Sequence, residues 1–155
     1  MNLGVGNPIY DILLLAHVII GMVGYFSTSL TSWMANLYLR DPSHPGLGRY
    51  FNGKINWASR MIVLVPVFGL VVAWAGSLWS DFSQPWFISA VGIWFVTAAI
   101  VSIFIWPVEK SIHLALEDRN YADGSQDQRV KRAVFVGGLS SIGYVAAFYL
   151  MLFKP

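Results

Sequence analysis

The chain has 155 residues, of which 56% are hydrophobic and only 12% carry a charge. Soluble domains have about 25% charged residues, so this composition favours a membrane protein, and the length fits one compact domain. A formal net charge of +2 gives no reason to expect a nucleic-acid partner, and the lack of cysteine excludes disulfides and thiolate metal sites.

Four long stretches of the chain contain no Asp, Glu, Lys or Arg. Each has at least the ~20 predominantly apolar residues that a helix needs to cross the hydrocarbon core, and in lipid a helix satisfies its backbone N–H and C=O groups internally. The sequence therefore predicts an all-α membrane protein, a four-transmembrane-helix antiparallel up-down bundle forming a single domain over residues 1–155. The stretches are Ile12–Leu39, Met61–Ser80, Phe82–Val108 and Ala133–Phe153.

Residues that start or stop helices define the predicted spans more closely. Asn7-Pro8 and Pro85 are start signals for the first and third spans. Pro107 marks the inner end of the third, beyond which Val108–Asp118 can continue as an interfacial helix. Pro66 lies near the middle of the second span and has no N–H for the Ile62 carbonyl, so a bend is expected there. With these signals the spans are predicted at about 9–39, 57–80, 85–108 and 132–153.

The basic residues predict the orientation in the membrane. Nine of the ten Lys and Arg residues surround the first and third connections, and Lys154 is the exception near the C-terminus. Short loops rich in Lys and Arg stay in the cytoplasm, so both termini are expected outside. Met1–Asp11 has no Lys or Arg and lacks the basic region of a signal peptide, so the first span is expected to be retained.

His17 is the ionisable residue inside the four charge-free stretches. It lies five residues into the first stretch, about 8 Å below the outer boundary at 1.5 Å per residue. Ionisable groups at this depth are costly and rare, and they usually mark a functional site. The alternative is a neutral imidazole that hydrogen-bonds to a hydroxyl or a backbone carbonyl within the bundle.

The residues that follow His17 along one helix face suggest a ligand for it. Gly21, Gly24 and Thr28 lie at i+4, i+7 and i+11 from the histidine, so the face beside the imidazole is nearly free of side chains. A planar macrocycle such as haem b needs an axial nitrogen and a flat surface, and imidazole is a usual ligand of haem iron. The same glycines would also serve close packing of two helices.

The remaining histidines do not complete a haem site in this reading. His44 lies in the first connection, and His113 lies about 30 Å in depth from His17 by helix rise. The second axial ligand would then be Met151 near the outer end of the last span, a water molecule or a residue of a partner chain. The sequence names no reaction, so enzymatic activity is left open.

The segment Leu13–Gly21, with the pattern apolar-His-apolar-Gly, resembles the first span of a broad group of small bacterial membrane proteins. The group includes copper-resistance protein D, the HemJ-type protoporphyrinogen oxidases and an uncharacterised family of predicted four-span proteins. The last of these is also similar in a basic first loop, a span like Pro66–Trp74 and a Trp-rich third span. The resemblance implies a haem-associated bundle in the bacterial cytoplasmic membrane, with His17 as axial ligand in the members that bind haem.

The chain also departs from these families. It lacks the Pro-Arg-Leu-aromatic tract and the later intramembrane lysine expected of a HemJ-type oxidase, and Met22 and Met34 are too few for a copper relay. Neither oxidase activity nor copper transport is therefore carried over.

Three functions are left open by the sequence. The first is a haem b-binding membrane protein with an electron-transfer role and the haem in the outer half of the bundle. The second is a cofactor-free accessory subunit of a larger respiratory or photosynthetic complex, and the third is a small transporter. All three place the chain in the lipid bilayer, as a homo-oligomer or within a larger membrane assembly.

Overall fold

The computed structural model of the protein describes residues 3–118 and 127–154. Within these ranges the chain is helical and has no strand, and four helical segments are long and apolar enough to cross a membrane. The predicted all-helical class with four packed spans is therefore confirmed. Spans 1 to 4 are Pro8–Arg40, Trp57–Gly76, Pro85–Glu117 and Gln128–Phe153.

Spans 1 and 4 are single α-helices, whereas spans 2 and 3 are composite. A 3₁₀ turn at Met61–Leu64 interrupts span 2, a π-helical segment at Val101–Ile105 interrupts span 3, and a second 3₁₀ turn at Leu78–Ser83 connects these two spans. The α-helices are α1 (Pro8–Arg40), α2 (Pro45–Tyr50), α3 (Trp57–Arg60), α4 (Val65–Gly76), α5 (Pro85–Ile100), α6 (Trp106–Glu117) and α7 (Gln128–Phe153).

Span 1 packs against spans 2 and 4, and span 4 packs against span 3. Spans 1 and 4 are antiparallel, because Ser29 hydrogen-bonds Ser141 near one end while Gly21 faces Phe148 nearer the other. Three buried apolar clusters follow one another along the bundle. They are Tyr10, Val72 and Ala75 at the end with the chain termini; Ile62, Val101, Ile105 and Tyr144 in the middle; and Met34, Ala35, Tyr38, Leu47, Phe51, Val108, Ile112, Val130 and Ala133 at the end with the first connection.

The tryptophans bound an apolar slab of membrane thickness. Trp86 and Trp106 are twenty residues apart on span 3, a rise of about 30 Å, which matches the hydrocarbon core. Trp57 and Trp74, near the two ends of span 2, are 70% and 54% exposed on the surface that faces lipid. This distribution is the interfacial aromatic belt expected of a membrane bundle.

Local sequence signals explain where the spans begin. The Asn7 side chain accepts a hydrogen bond from the Ile9 N–H at 3.1 Å, and Pro8 is the first helical residue of span 1. Span 4 begins at Gln128, four residues earlier than expected, because Asp127 caps it by accepting from the Arg129 N–H at 2.8 Å. The first residues of the chain, the third connection at 119–126 and residue 155 lie outside the described ranges.

Span 3 continues through Pro107, so the helix expected beyond this proline forms one span with the part before it. A proline inside a helix has no N–H and its ring clashes with the carbonyl four residues earlier. The π-helical segment Val101–Ile105 comes directly before this position, and its wider turn accommodates the proline. The helix therefore extends to Glu117, beyond the boundary of 108 taken from the sequence.

Pro66 interrupts span 2, as its position predicts. The turn Met61–Leu64 before it is 3₁₀, so the regular ladder of i→i−4 bonds is broken. The Ile62 carbonyl, which no N–H of residue 66 can reach, accepts from the Val65 N–H and from the Trp94 indole Nε1–H at 3.0 Å. Trp94, the one tryptophan deep within span 3, therefore completes the hydrogen bonding of the proline turn.

This pairing predicts that Trp94→Phe destabilises the bundle by about 0.5–1.5 kcal/mol, the usual net contribution of one hydrogen bond. In a Pro66→Ala background the residue 66 N–H can donate to Ile62, so the same substitution should cost clearly less. Reversible unfolding in detergent measures both steps of this double-mutant cycle, with Trp33→Phe on the lipid face (61% exposed) as the control. Equal costs in the two backgrounds would contradict the pairing.

Orientation is testable because the chain has no cysteine. Ser43 in the first connection and Ser83 before span 3 are both exposed. We expect a membrane-impermeant maleimide added outside to label Ser83→Cys and not Ser43→Cys. Labelling of Ser43→Cys and not of Ser83→Cys would show that the protein has the opposite orientation.

Candidate functional site around His17

The imidazole of His17 rests on the backbone of span 2. A Cβ atom added at Gly69 would lie 3.1 Å from the imidazole Cε1 and within 3.8 Å of both ring nitrogens. A side chain at this position would push the ring away by a few tenths of an ångström, so Gly69 lets the histidine pack directly on span 2. Sequence reasoning missed this role of Gly69, because it pairs positions 52 residues apart.

One nitrogen of this ring has no hydrogen-bond partner. The backbone of Val65 lies beside the imidazole, but Nδ1 is buried and meets no group within hydrogen-bonding geometry. Among the described residues, two other buried side-chain atoms share this property, Trp106 Nε1 and the Tyr144 hydroxyl. Buried polar groups are nearly always paired, so each exception requires a functional or structural reason.

The glycine face beside His17 is covered by the protein itself. A Cβ atom at Gly24 would lie 2.8 Å from the backbone nitrogen of Ile62, so Gly24 allows spans 1 and 2 to approach closely. A Cβ atom at Gly21 would meet the Phe148 ring at 3.9 Å and the Tyr25 ring at 4.0 Å, which are ordinary contacts. The backbone thus closes this face at Gly24, whereas side chains alone close it at Gly21.

Thr28 and Met151, the other residues assigned to the site, have different surroundings. Thr28 is fully buried, and its hydroxyl donates to the Gly24 carbonyl at 2.8 Å, within its own helix. Met151 lies three residues after Phe148 on α7 and is 37% exposed. The geometry of Met151 as a second axial ligand stays a prediction.

The residues around His17 meet one requirement of a haem site and fail another. The requirement met is a buried imidazole nitrogen, Nδ1, that makes no hydrogen bond and so is a candidate metal ligand. The flat surface expected at Gly24 is filled by the backbone of Ile62, so a macrocycle has no room there as the helices are packed. Space beside Gly21 depends on the Phe148 and Tyr25 side chains, which can rotate.

The other histidines have structural contacts. His44 accepts a hydrogen bond from the Gly46 N–H at 3.1 Å and begins α2. His113 Nδ1 lies 3.1 Å from the Phe51 carbonyl oxygen, and its Nε2 lies 3.4 Å from Glu117. In the described part of the chain, no three His, Cys, Asp or Glu side chains are arranged to hold a metal ion.

A second polar cluster, which sequence reasoning missed, lies at the opposite end of the bundle. Arg60 Nη1 donates to Glu109 Oε2 at 2.7 Å, and these side chains are 21% and 12% exposed. Thr31 Oγ1 at 3.4 Å and Asn56 Nδ2 at 3.5 Å donate to the other carboxylate oxygen. Because these residues come from spans 1, 2 and 3 and the first connection, Glu109 joins four parts of the chain. We call this group the Glu109 cluster.

Tyr50 of α2 extends the Glu109 cluster into the first connection. Its hydroxyl lies 2.7 Å from Thr31 Oγ1 and accepts from Asn56 Nδ2 at 3.3 Å. Burial raises the pKa of the Tyr50 hydroxyl above its ordinary value, so the group stays protonated at neutral pH. The only local signal in the sequence was a lone acidic residue, Glu109, one position beyond a charge-free stretch.

No family model, curated protein or solved structure matches this chain. The resemblance of Leu13–Gly21 to haem-associated bacterial families therefore stays a prediction from the sequence.

The close contact at Gly24 predicts a strong effect of a single methyl group. Gly24→Ala should destabilise the bundle by about 1–3 kcal/mol, because the new Cβ meets the backbone of Ile62, which cannot rotate away. Gly92, on the exposed face of span 3, has nothing within 4 Å of an added Cβ, so Gly92→Ala should be neutral or slightly stabilising. Thermal unfolding in detergent compares the two variants, and an equal response would show that spans 1 and 2 are not in backbone contact at Gly24.

Proposed function

We propose that this protein binds haem b in the bacterial cytoplasmic membrane and transfers electrons, and that His17 is an axial ligand of the haem iron. The observation that carries the proposal is the buried, unpaired Nδ1 of His17. The hydroxyls of Thr28, Thr97 and Ser140 donate to carbonyls of their own helices, which is the usual way to bury such groups. The imidazole of His17 lies beside the Val65 backbone, but its buried Nδ1 makes no hydrogen bond, and metal ligation would explain that.

The contacts favour the Gly21 side of His17 for such a group. At Gly21 the covering atoms belong to the rings of Phe148 and Tyr25, at van der Waals distance. Met151, the candidate second ligand, follows Phe148 by three residues on α7. When bound, haem supplies one-electron transfer. The chain would supply the imidazole and an apolar surrounding that excludes water.

A cofactor-free accessory subunit is the second candidate. It is favoured by the close packing at Gly24 against Ile62 and at Gly69 against His17, because both glycines then serve the fold alone. In that case the protein would act through its lipid-facing surface, as a homo-oligomer or beside a larger membrane complex. A transporter ranks third, since the charge-free stretches contain one histidine and scattered hydroxyls, fewer polar residues than a transport path usually shows.

An absorption spectrum separates the first two candidates. We expect protein purified from haem-sufficient cells to show a Soret band, because the unpaired Nδ1 of His17 could ligate iron. His17→Ala should abolish the band while leaving the helical content and the unfolding temperature close to wild type. His44→Ala, an exposed histidine in the first connection, is the matched control and should keep the band.

Two results would contradict the haem proposal. Wild-type protein without a Soret band, from cells that load haem into other cytochromes, would favour the accessory subunit. A band that persists in His17→Ala would place any haem on other residues.

A further inference from the structure

A shallow groove lies between spans 3 and 4, away from His17. It has a volume of about 290 Å³ and is lined by Phe104, Lys131, Arg132, Phe135 and Val136. Three of these residues are apolar and two are basic. The predicted orientation places the groove at the cytoplasmic boundary of the membrane, because Phe104 comes two residues before Trp106 of the aromatic belt.

The irregular part of span 3 forms one wall of the groove. Phe104 belongs to the π-helical segment Val101–Ile105, in which Val101 and Ile105 are buried while Phe104 is 38% exposed. On the opposite wall, Phe135 of span 4 is 69% exposed. Two aromatic rings and Val136 therefore form an apolar floor that opens towards the lipid chains.

Two free cations lie at the membrane-surface end of this floor. Lys131 and Arg132 are exposed, and neither forms an ion pair with any described residue. Along α7 they come one turn before Phe135 and Val136, so the charges lie about 6 Å closer to the cytoplasm than the apolar floor. Basic groups above an apolar surface, at headgroup depth, complement a lipid that has a phosphate above its acyl chains.

We propose that this groove binds one anionic phospholipid of the inner leaflet. Lys131 and Arg132 hold the headgroup phosphate, and an acyl chain lies on Phe104, Phe135 and Val136. The planar guanidinium of Arg132 offers two parallel N–H donors to phosphate oxygens, and Lys131 adds a point charge. The site is independent of haem, because none of its residues contacts His17.

Native mass spectrometry of the protein in mild detergent tests the proposal. We expect one phosphatidylglycerol to bind in preference to phosphatidylcholine. The double variant Lys131→Gln/Arg132→Gln should bind it about thirtyfold more weakly, the loss expected for two surface cations near a phosphate. Arg49→Gln/Lys54→Gln removes the same charge from exposed positions outside the groove and should leave binding close to wild type.

A second pair of variants tests the apolar floor. Phe135→Ala should weaken phosphatidylglycerol binding, whereas Ile142→Ala, equally exposed at 69% on the same helix, should not. Equal binding of the two phospholipids, or an equal loss in both charge variants, would overturn the proposal. Displacement of the lipid by millimolar inorganic phosphate, with no effect of Phe135→Ala, would also overturn it, because the site would then bind free phosphate.

Discussion

The fold depends on one backbone contact at the centre of the bundle, between Gly24 and Ile62. The Ile62 backbone nitrogen lies 2.8 Å from where a Cβ atom at Gly24 would be. The Ile62 carbonyl accepts a hydrogen bond from the Trp94 indole of span 3. The fully buried Ile62 side chain joins the middle cluster, which includes Tyr144 of span 4. Lipid offers no hydrogen bonds, so a proline turn in a membrane helix must find its partner within the protein. Pro66 creates that need, and all four spans meet where it is satisfied.

The Glu109 cluster has a comparable function at the other end. A buried ion pair is weak evidence for stability, since desolvation offsets much of the attraction, but loss of one partner leaves an uncompensated charge. Here Glu109 accepts from Arg60, Thr31 and Asn56, so its carboxylate lies in a set of donors from separate helices. The cluster fixes how spans 1, 2 and 3 and the first connection align. We therefore interpret it as an architectural group that specifies the arrangement of the helices.

The sequence predicted the features that local patterns determine. Charge-free stretches located the four spans, Asn7 and Pro8 located the start of span 1, and Pro66 predicted the break in span 2. These signals act over one or two helical turns and need no knowledge of neighbouring helices.

Features that depend on contacts between spans could not be predicted in this way. The glycines at 21 and 24 were interpreted as room for a macrocycle, with helix packing as the alternative, and Gly24 serves packing. Gly69, which receives the ring of His17, and Glu109, which pairs with Arg60, each act on residues about 50 positions away. No periodicity within one helix shows which face of another helix will meet it. The candidate site at His17 therefore stays a prediction, and its surroundings had to be taken from the contacts between spans.

The two ends of the bundle differ in what they leave unsatisfied, and this difference separates their proposed functions. In the half that contains the termini, the unsatisfied group is a buried imidazole nitrogen, which calls for a ligand inside the protein. In the other half, the Glu109 carboxylate accepts from three donors, the Trp106 Nε1 is buried without a hydrogen-bond partner, and exposed cations lie at the edge of an apolar groove. Exposed cations at headgroup depth attract the lipid around the protein. The π-helical segment contributes to the middle of the bundle and to the groove. Val101 and Ile105 pack in the middle cluster with Ile62, and Phe104 is left on the lipid face.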